Sequence, residues 1–270
     1  MNYRQQTPPS FPLLARKDYT APSIFTPENL LREARRQKGL AEGAVPALCV
    51  LDPDGDLVDY LCATGQARPH PHWACYHTTL FTWEQDGIEI GIIGRAVGAS
   101  FAVLVAEELF ASGCQLLISI TSAGQLFEVA QPPYIVLIER ALRDEGTSYH
   151  YLSPSDYSTL NPTIREHLLV GWDQTCQPLF TGDAWTTDAP FRETEAMIAW
   201  GRTQGLLAIE MEAAALYALA EAKGYAIICF AHITNQMALQ EGDFEKGVAN
   251  GSLTALSVIQ QTARALRLTR

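Results

Sequence analysis

The chain has 270 residues, 47% of them hydrophobic and 18% charged, which is enough for one substantial core in a single large domain. Its 30 acidic and 19 basic residues give a formal charge of -11 with no basic block, which argues against non-specific binding to nucleic acid or to an anionic membrane. The six cysteines form no CxxC pair and read as reduced thiols of a cytoplasmic protein; there is no long N-terminal apolar h-region, and no apolar run approaches the ~20 residues needed to cross a bilayer.

Residues 1–25 are Pro-rich and polar and read as an irregular arm. In FTPENLLREARRQKGL, Thr26 is placed to cap a helix, Pro27 suits its first turn and Gly39 its end. Leu30, Leu31 and Ala34 give that helix an apolar face, and Arg32, Arg35, Arg36 and Lys38 are expected in solvent. The chain therefore divides into an arm and helix, 1–40, and an α/β domain, 41–270. Strand-like runs follow at 46–52, 89–94, 115–121, 134–141, 178–185, 206–211 and 225–234. Helix-like runs lie at 101–112, 161–171, 190–204, 211–223 and 251–267. Short β-branched runs alternating with helices predict a largely parallel sheet flanked by helices.

In open α/β sheets ligands bind beyond the carboxyl ends of the strands. The residues expected there are Gly94 and Arg95, the TSAGQ turn at 121–125, Asp183 to Asp188 with Trp185, the pair Glu210 and Glu212, and His232 to Gln236. Residues two apart lie about 200° apart around a helix, so Glu210 and Glu212 cannot share a face. One of them is expected to serve the structure, as a carboxylate at a helix N-terminus, and the other a ligand with hydroxyl groups. Asn235 ends an apolar strand, where its amide either bonds backbone or reads a heterocycle offering a donor and an acceptor. ARPHPHWACYH holds His70, His72, Cys75 and His77, but their spacing fits no structural zinc pattern, and no metal is expected. There is no GxSxG elbow, no Walker loop and no GxGxxG.

Taken together, AIEMEAAALYALAEAKG, ISITSAGQL and AHITNQM resemble the nucleoside phosphorylase and nucleosidase superfamily, which includes uridine phosphorylase, purine nucleoside phosphorylase and methylthioadenosine nucleosidase. GRAVGASFAVLVAEELFASG and GTSYHYLSP extend the resemblance, which runs from about residue 45 to the C-terminus. It implies a phosphorylase-type α/β fold and a set of roles. Glu212 resembles the carboxylate that accepts from the ribose 2′ and 3′ hydroxyls, and Met211 a residue packed on sugar and base. Thr121, Ser122 and Gly124 resemble the turn flanking base and anion, and Trp185 an aromatic beside the base. Asn235 falls where 6-oxopurine enzymes carry Asn, which favours an oxo-base over adenine. Glu210, His150 and His232 complete the implied substrate-binding set.

Two departures concern the anion. The family's Gly-Asp-Pro-x-Arg loop here reads LDPDGD, with Gly55 in the arginine position, and the arginine before the Gly turn is Ser119. Arg95, in IIGRAV, resembles the phosphate arginine of trimeric purine nucleoside phosphorylases; Arg16 and Lys17 of the arm are further cations. The implied activity is phosphorolysis of a nucleoside to free base and ribose 1-phosphate, with phosphate as co-substrate, no cofactor, and a homo-oligomeric assembly. Hydrolysis by a nucleosidase and non-catalytic nucleoside binding are the alternatives.

Overall fold

Thr26 accepts a hydrogen bond from the Asn29 N–H and opens helix α1, Pro27–Lys38, which closes on Gly39 in the left-handed region at φ 65°. The structure, a computed structural model, describes residues 11–236 and 243–268. Leu31 and Ala34 are buried with Ala74 and fix α1 to the body of the protein. Arg35 and Lys38, expected in solvent, instead donate to the carbonyls of His72 and Cys75, so part of the basic face ties down the 70–77 loop.

Among the described residues ten strands and six further helices follow: β1 Leu48–Asp52, α2 Asp56–Ala63, β2 Arg68–Pro69, β3 Phe81–Gln85, β4 Ile88–Gly94, α3 Ala99–Ala111, β5 Leu116–Gln125, β6 Tyr134–Asp144, β7 Tyr157–Thr159, α4 Pro162–Gly171, β8 Phe180–Thr187, α5 Glu195–Thr203, β9 Ala208–Glu210, α6 Ala213–Lys223, β10 Ala226–Asn235 and α7 Ser252–Ala265. Strands β5, β9, β8, β6 and β10 pair in a closed ring, because β10 bonds both β6 and β5. From β5 the sheet runs outward through β1, β4, β3 and β2. The class is mixed α/β, as expected. The sheet is less parallel than the run of elements implied: β3–β4, β5–β9, β6–β7, β10–β6 and β2–β3 are antiparallel. One continuous core joins β1, β4, β5, β6 and β10 to α3, α6 and α7. The all-apolar stretch Ala213–Leu219 is buried on every side, which marks α6 as a central helix.

The sequence pattern misplaced some boundaries for identifiable reasons. TSAGQ was expected to turn, but β5 continues through Gln125, because Gly124 is paired on both sides, to Ile209 of β9 and to Asn235 of β10. Residues 190–204 were expected as one helix; a 3₁₀ turn, Pro190–Arg192, precedes α5, and Thr194 starts the helix afresh by accepting from the Met197 N–H. Helix α2 was missed because its acidic start reads as loop, although Leu57, Val58 and Leu61 are buried. The short strands β3 and β7 were missed as well.

Candidate active site at the β9–α6 junction

Strand register assembles the site. Trp185 of β8 pairs with Ile209 of β9, Ile209 with Gly124 of β5, and Gly124 with Asn235 of β10, giving one row across four strands. One step along, Thr186 pairs with Glu210. The next residues, Met211 and Glu212, leave β9 and lead into α6. A register shift in β10 between Ile233 and Asn235 brings the Asn235 backbone opposite Gly124.

The two glutamates have different work. Glu210 Oε2 accepts from the N–H groups of Glu212, at 2.8 Å, and Ala213, at 2.7 Å, while Oε1 accepts from the Thr186 hydroxyl. That hydroxyl in turn accepts from the Ala214 N–H at 2.9 Å. Glu210 and Thr186 thus satisfy three N–H groups at the start of α6, a capping task that normally falls to the residue just before the helix. Glu210 was expected among the substrate-binding residues; both its oxygens are taken by the protein, and its geometry is that of a cap.

Glu212 stands in the capping position but makes no side-chain cap bond. Its Oε1 accepts from the Gly98 N–H, ahead of α3, at 2.7 Å. Its Oε2 is buried and has no partner among the described residues. Burial, and then the charge of Glu210, push the Glu212 carboxyl well above its ordinary range, with the Gly98 N–H and the Thr121 hydroxyl acting in the other direction. Burial raises Glu210 too, but its donors favour the ionised form. Both carboxyls of the pair are thus raised by burial, and Glu212 is raised further by the charge of Glu210.

Asn235 is 8% exposed, and its Nδ2 donates to Thr234 Oγ1 at 3.1 Å. Met211 is half-buried in the β9–α6 junction. Trp185 was expected beside a base. Its ring is instead packed in a small cluster with Leu126, Leu206 and Ile209, and its Nε1 donates to Asp144 Oδ2 at 2.9 Å. At 1% exposure it has no open stacking face, because the β8–β9 pairing turns the ring into this cluster.

A second group of polar residues lies where β1 meets α2. Asp52 Oδ2 accepts from the Val58 N–H at 2.9 Å and its carboxyl is raised to about 6, chiefly by burial. Ser122 donates to Asp54 Oδ2, and Lys246 Nζ reaches the same oxygen at 3.0 Å and Asp56 Oδ2 at 2.5 Å. His232, 5% exposed, is pushed down to about 4, mainly by burial, and its Nε2 has no partner among the described residues. Asp52, Asp54, Asp56, Thr121, Ser122 and His232, among others, line a narrow pocket that is partly open to solvent.

Arg95 donates to Asp59 at 2.6 Å, with both side chains more than 60% exposed. It follows β4 with φ 65° and lies across Gly55: a Cβ added there would meet Arg95 Cζ at 3.0 Å. The guanidinium thus occupies the space beside the position where the resemblance expects an arginine. Ser119 is 1% exposed and brings no charge. His150 was expected at the substrate site. It lies elsewhere, in a cleft of about 370 Å³ between α1 and α3, where its Nδ1 meets Lys17 Nζ at 2.7 Å. None of the other expected site residues lines that cleft. Thus Glu212, Met211, Thr121, Ser122, Gly124, His232 and Asn235 share one end of the sheet ring, and His150 does not. Asp54, Lys246 and Gly98 were missed, and Thr186 fell within the expected strand end 183–188 without a role; LDPDGD was read only for its absent arginine. Among the described residues no group of three or more His, Cys, Asp or Glu is placed to hold a metal ion, and no helix is long and apolar enough to cross a membrane.

The profile of the phosphorylase superfamily matches residues 47–266. The chain belongs to this superfamily. Among relatives of this phosphorylase-superfamily chain, a guanosine phosphorylase of Halorubrum lacusprofundi is 28% identical over 139 residues, 52% of this chain and 58% of the relative. A DeoD-type purine nucleoside phosphorylase of Clostridium perfringens is 25% identical over 217 residues, 75% of this chain and 87% of the relative. The chain spans about three-fifths of the length of the first curated relatives it matches, 57–61%. The fold resembles that of purine nucleoside phosphorylase from Toxoplasma gondii in complex with immucillin-H, with TM-score 0.68, 18% identity and coverage of 82% of this chain and 91% of the other. It also resembles uridine phosphorylase from Vibrio fischeri, with TM-score 0.65, 17% identity and coverage of 86% and 97%.

Proposed function

We propose that this superfamily member cleaves the N-glycosidic bond of a nucleoside with an oxo-base, purine or uracil, releasing the free base. The observation that carries this reading is the contrast within the glutamate pair: Glu210 is saturated by protein donors, and the equally buried Glu212 keeps one oxygen unpaired. A buried acceptor without a partner costs about 1–3 kcal/mol, and a ribose diol supplies the missing donor. A carboxylate fixed on that diol orients the sugar and favours the positive charge that develops as the bond breaks. Asn235, two strands away on β10, is the group to donate to the leaving base. It cannot act as an acid, so it stabilises charge without transferring a proton.

The resemblance, and the names of the relatives, favour phosphate as the nucleophile. Arg95 beside Gly55 supports that reading, since an exposed ion pair with Asp59 is worth little and can be exchanged for an anion. The ring of Asp52, Asp54 and Asp56 supports water instead, since a dianion entering it meets carboxylates. Either reaction needs no cofactor. A cytoplasmic homo-oligomer is part of the same proposal, checked by light scattering and fractionation. The test of the activity is direct: inosine, guanosine, uridine and adenosine are incubated with the protein, with and without phosphate, and free base is followed. Release of an oxo-base is expected. Tight nucleoside binding without release from any of the four would make this a binding protein and end the enzymatic reading.

A further inference from the structure

We propose that the cleft between α1 and α3 is a second ligand site, separate from the glutamate junction, and that it takes a primary amine carried on an apolar body. The cleft has a volume of about 370 Å³, within the range of small-molecule sites, and is partly open to solvent. Its walls come from different parts of the chain. Phe25, Pro27 and Leu30 precede the superfamily profile, which begins at residue 47. Ser100, Val103, Leu104, Glu107 and Glu108 of α3 lie within the profile and form the facing wall. The site is thus made by packing the N-terminal helix of this chain on the superfamily body, and the body alone does not form it.

The spacing along α3 supplies the first argument. Positions 100, 103, 104, 107 and 108 follow the i, i+3, i+4, i+7, i+8 rhythm of one helix face. A stripe turned toward a neighbouring helix is expected to stay apolar. This one changes from Val103 and Leu104 to two carboxyls. Burial raises both of them, Glu107 and Glu108, above the ordinary range. A cation seated between them offsets that cost.

Glu108 supplies an independent second argument. It is 2% exposed, and its Oε2 is buried with no partner among the described residues. Buried polar atoms in native proteins are almost always hydrogen-bonded. The Cys75 thiol favours the ionised form of Glu108, and His77 and Lys38 do so through space. Lys38 Nζ, however, donates to the Cys75 carbonyl. Lys17 reaches the cleft at His150 and bonds its Nδ1, so it too is engaged elsewhere.

Two carboxyls select a positive ligand, and the apolar remainder selects what carries it. A primary ammonium has three donors, enough for Glu107, Glu108 Oε2 and the Ser100 hydroxyl. Its hydrocarbon body lies against Leu30, Val103 and Leu104. A carboxylate or phosphate in the same place meets like charge. None of Glu212, Thr121 and Asn235 lines the cleft, so an amine held there leaves the sugar site free.

The experiment uses the whole chain and calorimetry with three probes that share one body: phenethylamine, phenethyl alcohol and phenylacetate. The amine is expected to bind saturably with a Kd of about 1 mM or tighter, and equally well in the presence of inosine. The alcohol should bind at least about tenfold more weakly, and the acid not at all. Glu108→Gln should weaken the amine by about 10–100-fold, the worth of a hydrogen bond to a charged group, and leave the alcohol unchanged. Should that variant fail to fold, Glu107→Gln, at a half-buried position, gives the same readout. Leu104→Trp, at a residue 38% exposed, fills the cleft from its rim and should abolish amine binding while base release stays as in wild type. Equal affinity for amine and alcohol, preference for the acid, displacement by inosine, or no saturable binding each overturns the inference. So does amine binding that survives both a glutamate variant and Leu104→Trp.

Discussion

The β9–α6 junction and the β1–α2 loop both concentrate carboxylates at the same end of the molecule, but they tolerate them by opposite means. At the junction, backbone N–H groups and one hydroxyl absorb the charge of Glu210, and Glu212 is left buried and short of donors. In the loop, side-chain cations do the work: Lys246 bridges Asp54 and Asp56, and Arg95 pairs with Asp59. The difference teaches where ligand atoms are wanted. Donors fixed in the backbone cannot move, so the only oxygen open to a ligand is the one they do not reach. Cations on long side chains can be exchanged, so the loop's own charge balance decides what enters.

The comparison can be broken most decisively at Glu212. Glu212→Gln is expected to lower kcat by about 10²–10³-fold, the loss typical of removing one positioned charged group. Glu210→Gln should leave kcat within about tenfold and instead cost stability, by about 1.5–3 kcal/mol, the worth of hydrogen bonds to a charged group. Equal activity losses in two equally folded variants would erase the distinction between the glutamates.

Substrate choice gives a smaller shift. If Asn235 faces the base, Asn235→Asp should raise activity on adenosine relative to inosine, because a protonatable group can donate to N7 of adenine. An unchanged ranking across the four nucleosides would place Asn235 away from the base.

Stability against pH sharpens the same contrast. Glu212 is raised in the folded protein, so its contribution is complete below its unfolded value of 4.5 and is lost as pH rises toward the folded value. In the absence of nucleoside, Glu212→Gln should therefore gain thermal stability over wild type on the alkaline side of neutrality, although it loses activity. Nucleoside binding should release protons, since diol donors favour the ionised form, and calorimetry in buffers of different ionisation enthalpy reads that directly. His232 is depressed, so its contribution is complete above its unfolded value of 6.5 and is lost as pH falls toward about 4.

The smallest effect is expected at Arg95. Its pair with Asp59 is exposed, so Arg95→Met should change stability by no more than about 1 kcal/mol and leave phosphate-free base release unaltered. If phosphate proves to be required and the variant weakens its saturation, the cation of the loop is Arg95.

The sequence made the core elements legible because apolar runs carry their own period: α1 with its Thr26 cap and Gly39 terminus, β1, β4, β6 and α6 all lie where the pattern placed them. The division of Glu210 and Glu212 was also legible, since residues two apart at a strand-to-helix junction must diverge. The resemblance gave Glu212 the sugar but kept Glu210 in the substrate-binding set; that Glu210 caps the helix was visible only once the backbone was in place. The Gly124 strand was read as a turn because a glycine between small residues gives no sign of being paired on both sides. Trp185 was read as a ligand contact because an aromatic near a strand end looks the same whether it faces a crevice or Leu126 and Leu206. The Asp54–Lys246 contact joins residues 192 apart in sequence and has no local signature at all.

The closed strand ring has a kinetic consequence. Strand β9 has three residues and is held by two pairs to β5 and three to β8, so it has no stable partner until both neighbours are in place. Pairings between distant segments must bear their loop-closure entropy before they return any stability. Glu212 is therefore expected to be set in position late in folding, after the ring around it has formed. A chain emerging from refolding would regain its helices and most of its sheet before it could hold a sugar, and the binding of a nucleoside would report completion of the last and shortest strand.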